Sequence, residues 1–82
     1  MMDAIRLHIL SPEGKVLDTM AELVTLPGEK GRFTVLKDHA ALVTALEKGD
    51  VRYVHDGQEK LVPIKEGFAE VRDNTVTVCA EI

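Results

Sequence analysis

Residues 26–46, LPGEKGRFTVLKDHAALVTAL, carry the reading of this chain. Leu26-Pro27-Gly28 is a turn in which proline fixes φ and withdraws a backbone donor, while glycine permits the reversal. Glu29, Lys30 and Arg32 then surround a further glycine, Gly31, so the segment reads as a charged, glycine-flanked tip. Beyond it Phe33, Val35 and Leu36 are apolar, an Asp38-His39 pair interrupts, and Ala40, Leu42, Thr44 and Leu46 recur at every second position. Residues 40–48 have some helical propensity, but Val43, Thr44 and the short length oppose it. The string offers one histidine and no positioned nucleophile or metal partner, so it encodes no catalytic arrangement.

Alternation continues on both sides of this stretch. Ile5, Leu7 and Ile9 point one way while Arg6 and His8 point the other, the pattern of a half-buried strand. Ser11-Pro12-Glu13-Gly14 supplies a turn, with Gly14 free to take positive φ. Residues 16–17 and 23–26 read as the next strands. Lys48-Gly49 breaks the chain before 51–54, and Asp56-Gly57 between Tyr53-Val54 and Leu61-Val62 is the clearest hairpin signal. Gly67 interrupts two strand-like runs and predicts a bulge or a close backbone approach. Asp73-Asn74 turns the chain into Val76 and Val78, which share a face. Strand signals spaced by turns throughout predict an all-β fold of about ten short strands in a flattened β-sandwich or barrel. Phe33, Leu36, Leu42, Leu46, Phe68 and Val71 are expected in its core.

Eighty-two residues allow one domain, spanning 1–82, with no second core. Ten basic against fourteen acidic residues give a net charge of −4, which argues against a nucleic-acid partner. Phe33, Tyr53 and Phe68 are too few for a base-stacking platform. Cys79 is the single cysteine, which precludes an intrachain disulfide and points to a reducing compartment. It is expected as a small buried or edge side chain. His8, His39 and His55 are scattered, so no metal is expected. Gly28-Glu29-Lys30-Gly31 lacks the Lys-Ser/Thr and helix of a phosphate loop, so no cofactor is expected either. The apolar runs are too short to cross a membrane as helices, and Asp3 and Arg6 interrupt any signal-peptide pattern.

The 26–46 stretch resembles the LPG…G-x-F-x-V-L-x-x-H-A-x-L-x-T-x-L block of the rotary ATP synthase epsilon subunit family, in its N-terminal β-sandwich domain. Ser11-Pro12-Glu13-Gly14 is similar to that family's S/T-P-E-G turn, and Gly49 with Arg52-Tyr53 to its G-x-x-R-Y segment. Gly67-Phe68-Ala69-Glu70-Val71, Asn74 and Val76-Thr77-Val78 are similar to its closing G-G-F-x-E-V…N-x-V-T-V string. The ordered set covers nearly the whole chain. Ala41 stands where the family usually has proline, Lys37-Asp38 replaces a common Pro-Gly, and Glu66 replaces the first of two paired glycines. These positions lie in turns, where other residues reach similar geometry at modest cost. Family members commonly continue into a two-helix C-terminal domain; this chain stops at Glu81-Ile82, where those helices would begin. The chain reads as a short form, natural or trimmed, from which helix-based inhibition of ATP hydrolysis is not expected.

The resemblance implies a non-catalytic central-stalk subunit of an F1Fo ATP synthase. It would pack on the gamma subunit and the c-ring, at the cytoplasmic face of a bacterial inner membrane, with membrane association only through the complex. It assigns a c-ring-facing loop to Pro27, Gly28, Glu29, Lys30, Gly31 and Arg32, and gamma-facing positions to Ser11, His39 and Thr44. Ordinary turn or strand placement accounts nearly as well for Ser11 and Thr44, and His39 either orders the turn into Ala40-Ala41-Leu42 or faces gamma. Arg52 pairs either with an acidic partner or with a cross-strand glutamate such as Glu59. Two other β modules compete with this reading. A biotinyl or lipoyl carrier needs a lysine at a hairpin tip, where the chain offers only Lys60 inside a strand-like run. An oligonucleotide-binding barrel is disfavoured by the acidic balance.

Overall fold

The computed structural model describes residues 2–82 and contains nine strands and no helix among them. In chain order they are β1 (Ile5–Ser11), β2 (Gly14–Ala21), β3 (Leu23–Leu26), β4 (Phe33–Val35), β5 (Leu42–Leu46), β6 (Gly49–His55), β7 (Gln58–Ile64), β8 (Glu66–Arg72) and β9 (Thr75–Glu81). They form a five-stranded sheet, β2-β1-β9-β8-β5, facing a four-stranded sheet, β4-β3-β6-β7. Extents of 30 × 23 × 18 Å make this a flattened sandwich, as the turn spacing predicts. Nine strands stand against about ten expected. The buried Pro27-Gly28 segment contributes a single bridge, Gly28 to Leu46, since proline brings no donor to extend a ladder.

The period of two explains the core. Ile5, Leu7 and Ile9 of β1 are fully buried, and so are Val76 and Val78 of β9 beside them. Ala69 and Val71 of β8, Val24 and Leu26 of β3, and Val51 and Tyr53 of β6 close the interior. Burying each such aliphatic side chain contributes about 1.5–3 kcal/mol before chain entropy is counted.

The structure corrects three expectations. Phe68 and Leu36, predicted in the core, are 63% and 50% exposed. Phe68 lies an odd number of positions from Val71 on one strand, so the two side chains must leave opposite faces of the sheet. Leu36 lies one residue past the end of β4, in the exposed β4–β5 connection. Cys79 is exposed rather than buried, and it lies on β9, the middle strand of its sheet, rather than at an edge. Phe33 and Leu42 pack half-buried against the core, while Leu46 and Val71 are buried.

Turn chemistry follows the sequence closely. Asp56 and Gly57 take φ of 53° and 78° between paired His55 and Gln58, and Asp73 and Asn74 take 52° and 57° between paired Arg72 and Thr75. Positive φ at both central residues matches the right-handed strand twist of a tight hairpin. Gly67 runs straight through β8 with no shift of register. A Cβ there would sit 2.2 Å from the Cys79 carbonyl oxygen and 2.7 Å from Ala80 Cα, so a close backbone approach, not a bulge, explains the glycine. The bulge lies elsewhere, between Ile9 and Leu10 in the β1–β2 ladder.

Candidate functional site

The tip between β3 and β4 is held from below. Pro27 and Gly28 are buried, and only Glu29, Lys30, Gly31 and Arg32 are exposed. The Glu29 amide donates to the Ala45 carbonyl at 2.9 Å, and the Glu47 amide to the Pro27 carbonyl at 2.9 Å, which ties the segment to the end of β5. The turn closes where the Gly31 amide donates to the Gly28 carbonyl at 3.0 Å, with Gly31 at φ 130°. Arg32 reaches across to donate to the Asp50 carbonyl at 3.3 Å. Gly49 is needed beneath, because a Cβ there would meet Pro27 Cβ at 2.9 Å. Pro27 and Gly28 thus shape the loop, and its polar contacts with any partner must come from residues 29–32.

The remaining site candidates are not gathered with it as one patch. Ser11 is the last residue of β1, before the β1–β2 turn, and lines the same groove as Glu29 of the tip. Its Oγ accepts from the Glu13 amide at 3.3 Å and lies 3.3 Å from the Gly14 carbonyl, a local turn-stabilising arrangement. Thr44 shares the inward face of β5 with Leu42 and Leu46, and its hydroxyl donates to the Ala45 carbonyl at 3.3 Å. His39 lies in the β4–β5 connection. Its Nδ1 is 2.7 Å from the Ala40 carbonyl, and its ring is tilted against Phe33 with centroids 6.4 Å apart.

Sequence reading missed what holds that connection. Asp38 takes φ 65°, its amide donates to Asn74 Oδ1 at 2.6 Å, and Asn74 Nδ2 donates back to Asp38 Oδ1 at 3.2 Å. The pair clasps the β4–β5 connection to the β8–β9 turn. A hint existed in the substitution of Asp38 for a usual glycine, since Asp and Asn are the residues that tolerate the left-handed region best.

Two further surface clusters are paired locally. Arg52 is paired with Glu59, so the cross-strand alternative for Arg52 is realised within the sheet. Asp18 on β2 receives Arg6 at 3.2 Å, with His8 and Lys15 each at 3.6 Å. The Arg6 hydrogen bond, partly opposed by desolvation and helped by the charges of Arg6, His8 and Lys15, holds the Asp18 carboxyl below the ordinary aspartate value. Lys60 lies within β7 opposite Tyr53, not at the Asp56-Gly57 tip where a carrier lysine would be displayed. Among the described residues no three His, Cys, Asp or Glu side chains are grouped to hold a metal ion.

Known proteins resemble this one along almost its whole length. It is 41% identical over 81 residues to the ATP synthase epsilon chain of Desulfitobacterium hafniense, covering 99% of this chain and 61% of that protein. It is 36% identical over 80 residues to the ATP synthase epsilon chain of Bacillus subtilis, covering 98% and 61%. The chain thus spans about three-fifths of the length of these curated relatives. Its fold is similar to a chain in the Euglena gracilis mitochondrial ATP synthase OSCP/F1/c-ring structure. The TM-score is 0.88 at 23% identity, covering 98% of this chain and 52% of that one. A chain of the Tetrahymena thermophila central stalk and c-ring gives a TM-score of 0.79 at 15% identity, covering 96% and 64%. Residues 4–82 match the family model for the β-sandwich domain of the ATP synthase delta/epsilon chain. With its turns, strand order and charged tip accounted for, the chain belongs to the β-sandwich domain family of ATP synthase delta/epsilon chains.

Proposed function

We propose that this domain is a non-catalytic part of the central stalk of an F1Fo ATP synthase, packing on the gamma subunit and the c-ring to couple ion translocation with ATP synthesis. The observation that carries this reading is the tip at residues 29–32. Two cations and a carboxylate are displayed there on a loop fastened to β5 and β6 at its base. A rotor contact must transmit torque without deforming, and charged groups on an anchored loop can engage polar loops of a ring at little ordering cost. Glu29, Lys30, Gly31 and Arg32 face the c-ring in this reading, with Pro27 and Gly28 as their support. Ser11, His39 and Thr44 lie toward gamma; of these, Thr44 contributes through the β5 edge, because its side chain is turned inward. The complex sits at the cytoplasmic face of a bacterial inner membrane, and the domain reaches the membrane only through it.

The test is co-expression with the gamma subunit of the same genome, followed by size-exclusion chromatography and calorimetry. A one-to-one complex weakened by substitutions at Ser11 or His39 is expected. Charge reversal of Lys30 and Arg32 should leave gamma binding intact and weaken retention on gamma–c-ring subcomplexes. A folded domain that fails to bind gamma would refute the stalk reading.

A further inference from the structure

The three charged residues of the β3–β4 tip do not stand alike. Gly28 to Gly31 form one β-turn, closed where the Gly31 amide donates to the Gly28 carbonyl at 3.0 Å, with Glu29 and Lys30 as its central residues. Neither takes a positive φ, as a type I turn requires, so both side chains stand at the apex. Both are exposed, and neither enters an ion pair among the described residues, not even with its neighbour. Arg32 lies past the turn. Its Nη2 donates to the Asp50 carbonyl at 3.3 Å, and its Nη1 would be 4.0 Å from a Cβ on Gly49, so the guanidinium folds back along the start of β6.

The turn has little room to change shape. A Cβ on Gly28 would meet the Gly31 carbonyl oxygen at 2.6 Å and the Phe33 ring at 3.0 Å, so the ring packs directly against Gly28. The Glu29 amide is held by the Ala45 carbonyl at 2.9 Å. Backbone order is thus in place before any partner arrives, and only the two apical side chains have rotamer freedom left to lose. Adjacent charges of opposite sign sum to zero, so they steer no partner from a distance. At contact they discriminate. A surface bearing two charges in the matching order meets two attractions, and one in the reverse order meets two repulsions.

We propose that Glu29 and Lys30 form a two-charge key that fixes the register of the tip on its partner, while Arg32 is a positioning residue that braces the turn against β6. The partner surface is a polar loop with a cation opposite Glu29 and a carboxylate opposite Lys30. This assignment rests on the ring-facing reading of the tip and names the groups that carry it. An order-sensitive contact suits a rotor part, because it fixes the orientation of the domain on the ring, which a patch of one sign would leave free.

In the test, the domain co-purified with gamma is titrated onto detergent-solubilised c-ring from the same genome, at low and at high salt, by biolayer interferometry. The charge-order variant carries Glu29→Lys and Lys30→Glu together, which leaves composition and net charge as they are. It should bind gamma and melt like the natural chain, since a type I turn accepts most residues. Its ring affinity should fall by about tenfold or more at low salt, a difference that narrows at high salt. Lys30→Met should weaken ring binding by about threefold and flatten its salt dependence. Arg32→Met should weaken it by about threefold with the salt dependence unchanged, and Arg32→Lys should restore it, because an ammonium donates to the same carbonyl. Equal ring affinity of the charge-order variant and the natural chain would overturn the key. A flattened salt dependence in Arg32→Met would overturn the brace. A natural complex that retains gamma but ignores the ring would overturn the key and the ring-facing reading together. That outcome is distinct from failure of the key alone, in which natural and reordered tips bind the ring equally.

Discussion

Gly67→Ala should unfold this domain more readily than any other single added methyl group among its six glycines. The new Cβ would lie 2.2 Å from the Cys79 carbonyl oxygen, 2.7 Å from Ala80 Cα and 2.8 Å from Ala80 Cβ. Two of those atoms are backbone of β9, which is hydrogen-bonded on both sides, by β8 and by β1. Relief therefore requires moving a central strand by about 1 Å, not rotating a side chain. Overpacking of this kind costs about 1–3 kcal/mol, and the upper end applies where backbone must shift. Alanine also restricts the unfolded chain, which returns about 0.4–1 kcal/mol. The net expectation is a loss of about 2 kcal/mol, or a fall in Tm of about 8–16 °C for a domain of this size. Urea unfolding followed by far-ultraviolet circular dichroism measures it, with m unchanged as the check that the unfolded state is comparable. Gly14→Ala is the control, since a Cβ there meets nothing within 4 Å and only its φ of 128° is unfavourable. A Gly67→Ala loss below about 0.5 kcal/mol would refute the close-approach explanation of this glycine, whatever backbone strain Gly14→Ala adds at its own site.

Three further outcomes follow from the geometry. A double-mutant cycle on Asp38→Ala and Asn74→Ala should show coupling of about 0.5–1 kcal/mol from the Asn74 Nδ2–Asp38 Oδ1 bond, because the Asp38 amide persists in Asp38→Ala; additivity within error would remove that side-chain bond. Leu7→Ala, at a fully buried position, should cost about 2–5 kcal/mol in the same urea assay, whereas Leu61→Ala, 55% exposed, should cost little. The Arg6 hydrogen bond holds the folded Asp18 pKa below the ordinary aspartate value of 3.8, so its stabilising contribution is present above that value and lost as pH falls through the lower folded one. The stability difference between the natural chain and Asp18→Asn should accordingly be flat near neutrality and shrink below about pH 4, and more weakly at high salt. A difference independent of pH would remove the Arg6 bond as its cause.

Much of the fold was legible because it rests on local rules. Alternation at Ile5, Leu7 and Ile9 fixes which face of β1 is buried, and Asp56-Gly57 fixes a hairpin through the positive φ both residues accept. The candidate tip was legible for a similar reason, since charges between glycines end up exposed. The errors came from treating hydrophobicity as sufficient. Phe68 and Leu36 are apolar, yet the period of two places Phe68 on the face opposite Val71, which a strict count along the strand would have found, and Leu36 falls just beyond the end of β4.

Other features belong to tertiary structure alone. The parallel pairing of β1 with β9 brings the first and last strands together in the middle of one sheet, and no local signal encodes a contact between residues 6 and 75. The Asp38–Asn74 clasp and the burial of Pro27 under the tip depend in the same way on segments distant in sequence. So does the alignment of Leu10, Cys79, Phe68 and Ala45, which exists only once four strands take one register. Sequence determined the strands, their faces and their turns, because sterics and side-chain alternation act within a few residues. Which strands are neighbours, and hence which surface side chains form a row, was decided only when the two sheets closed on a common core, where long-range burial outweighs the entropy of bringing distant segments together.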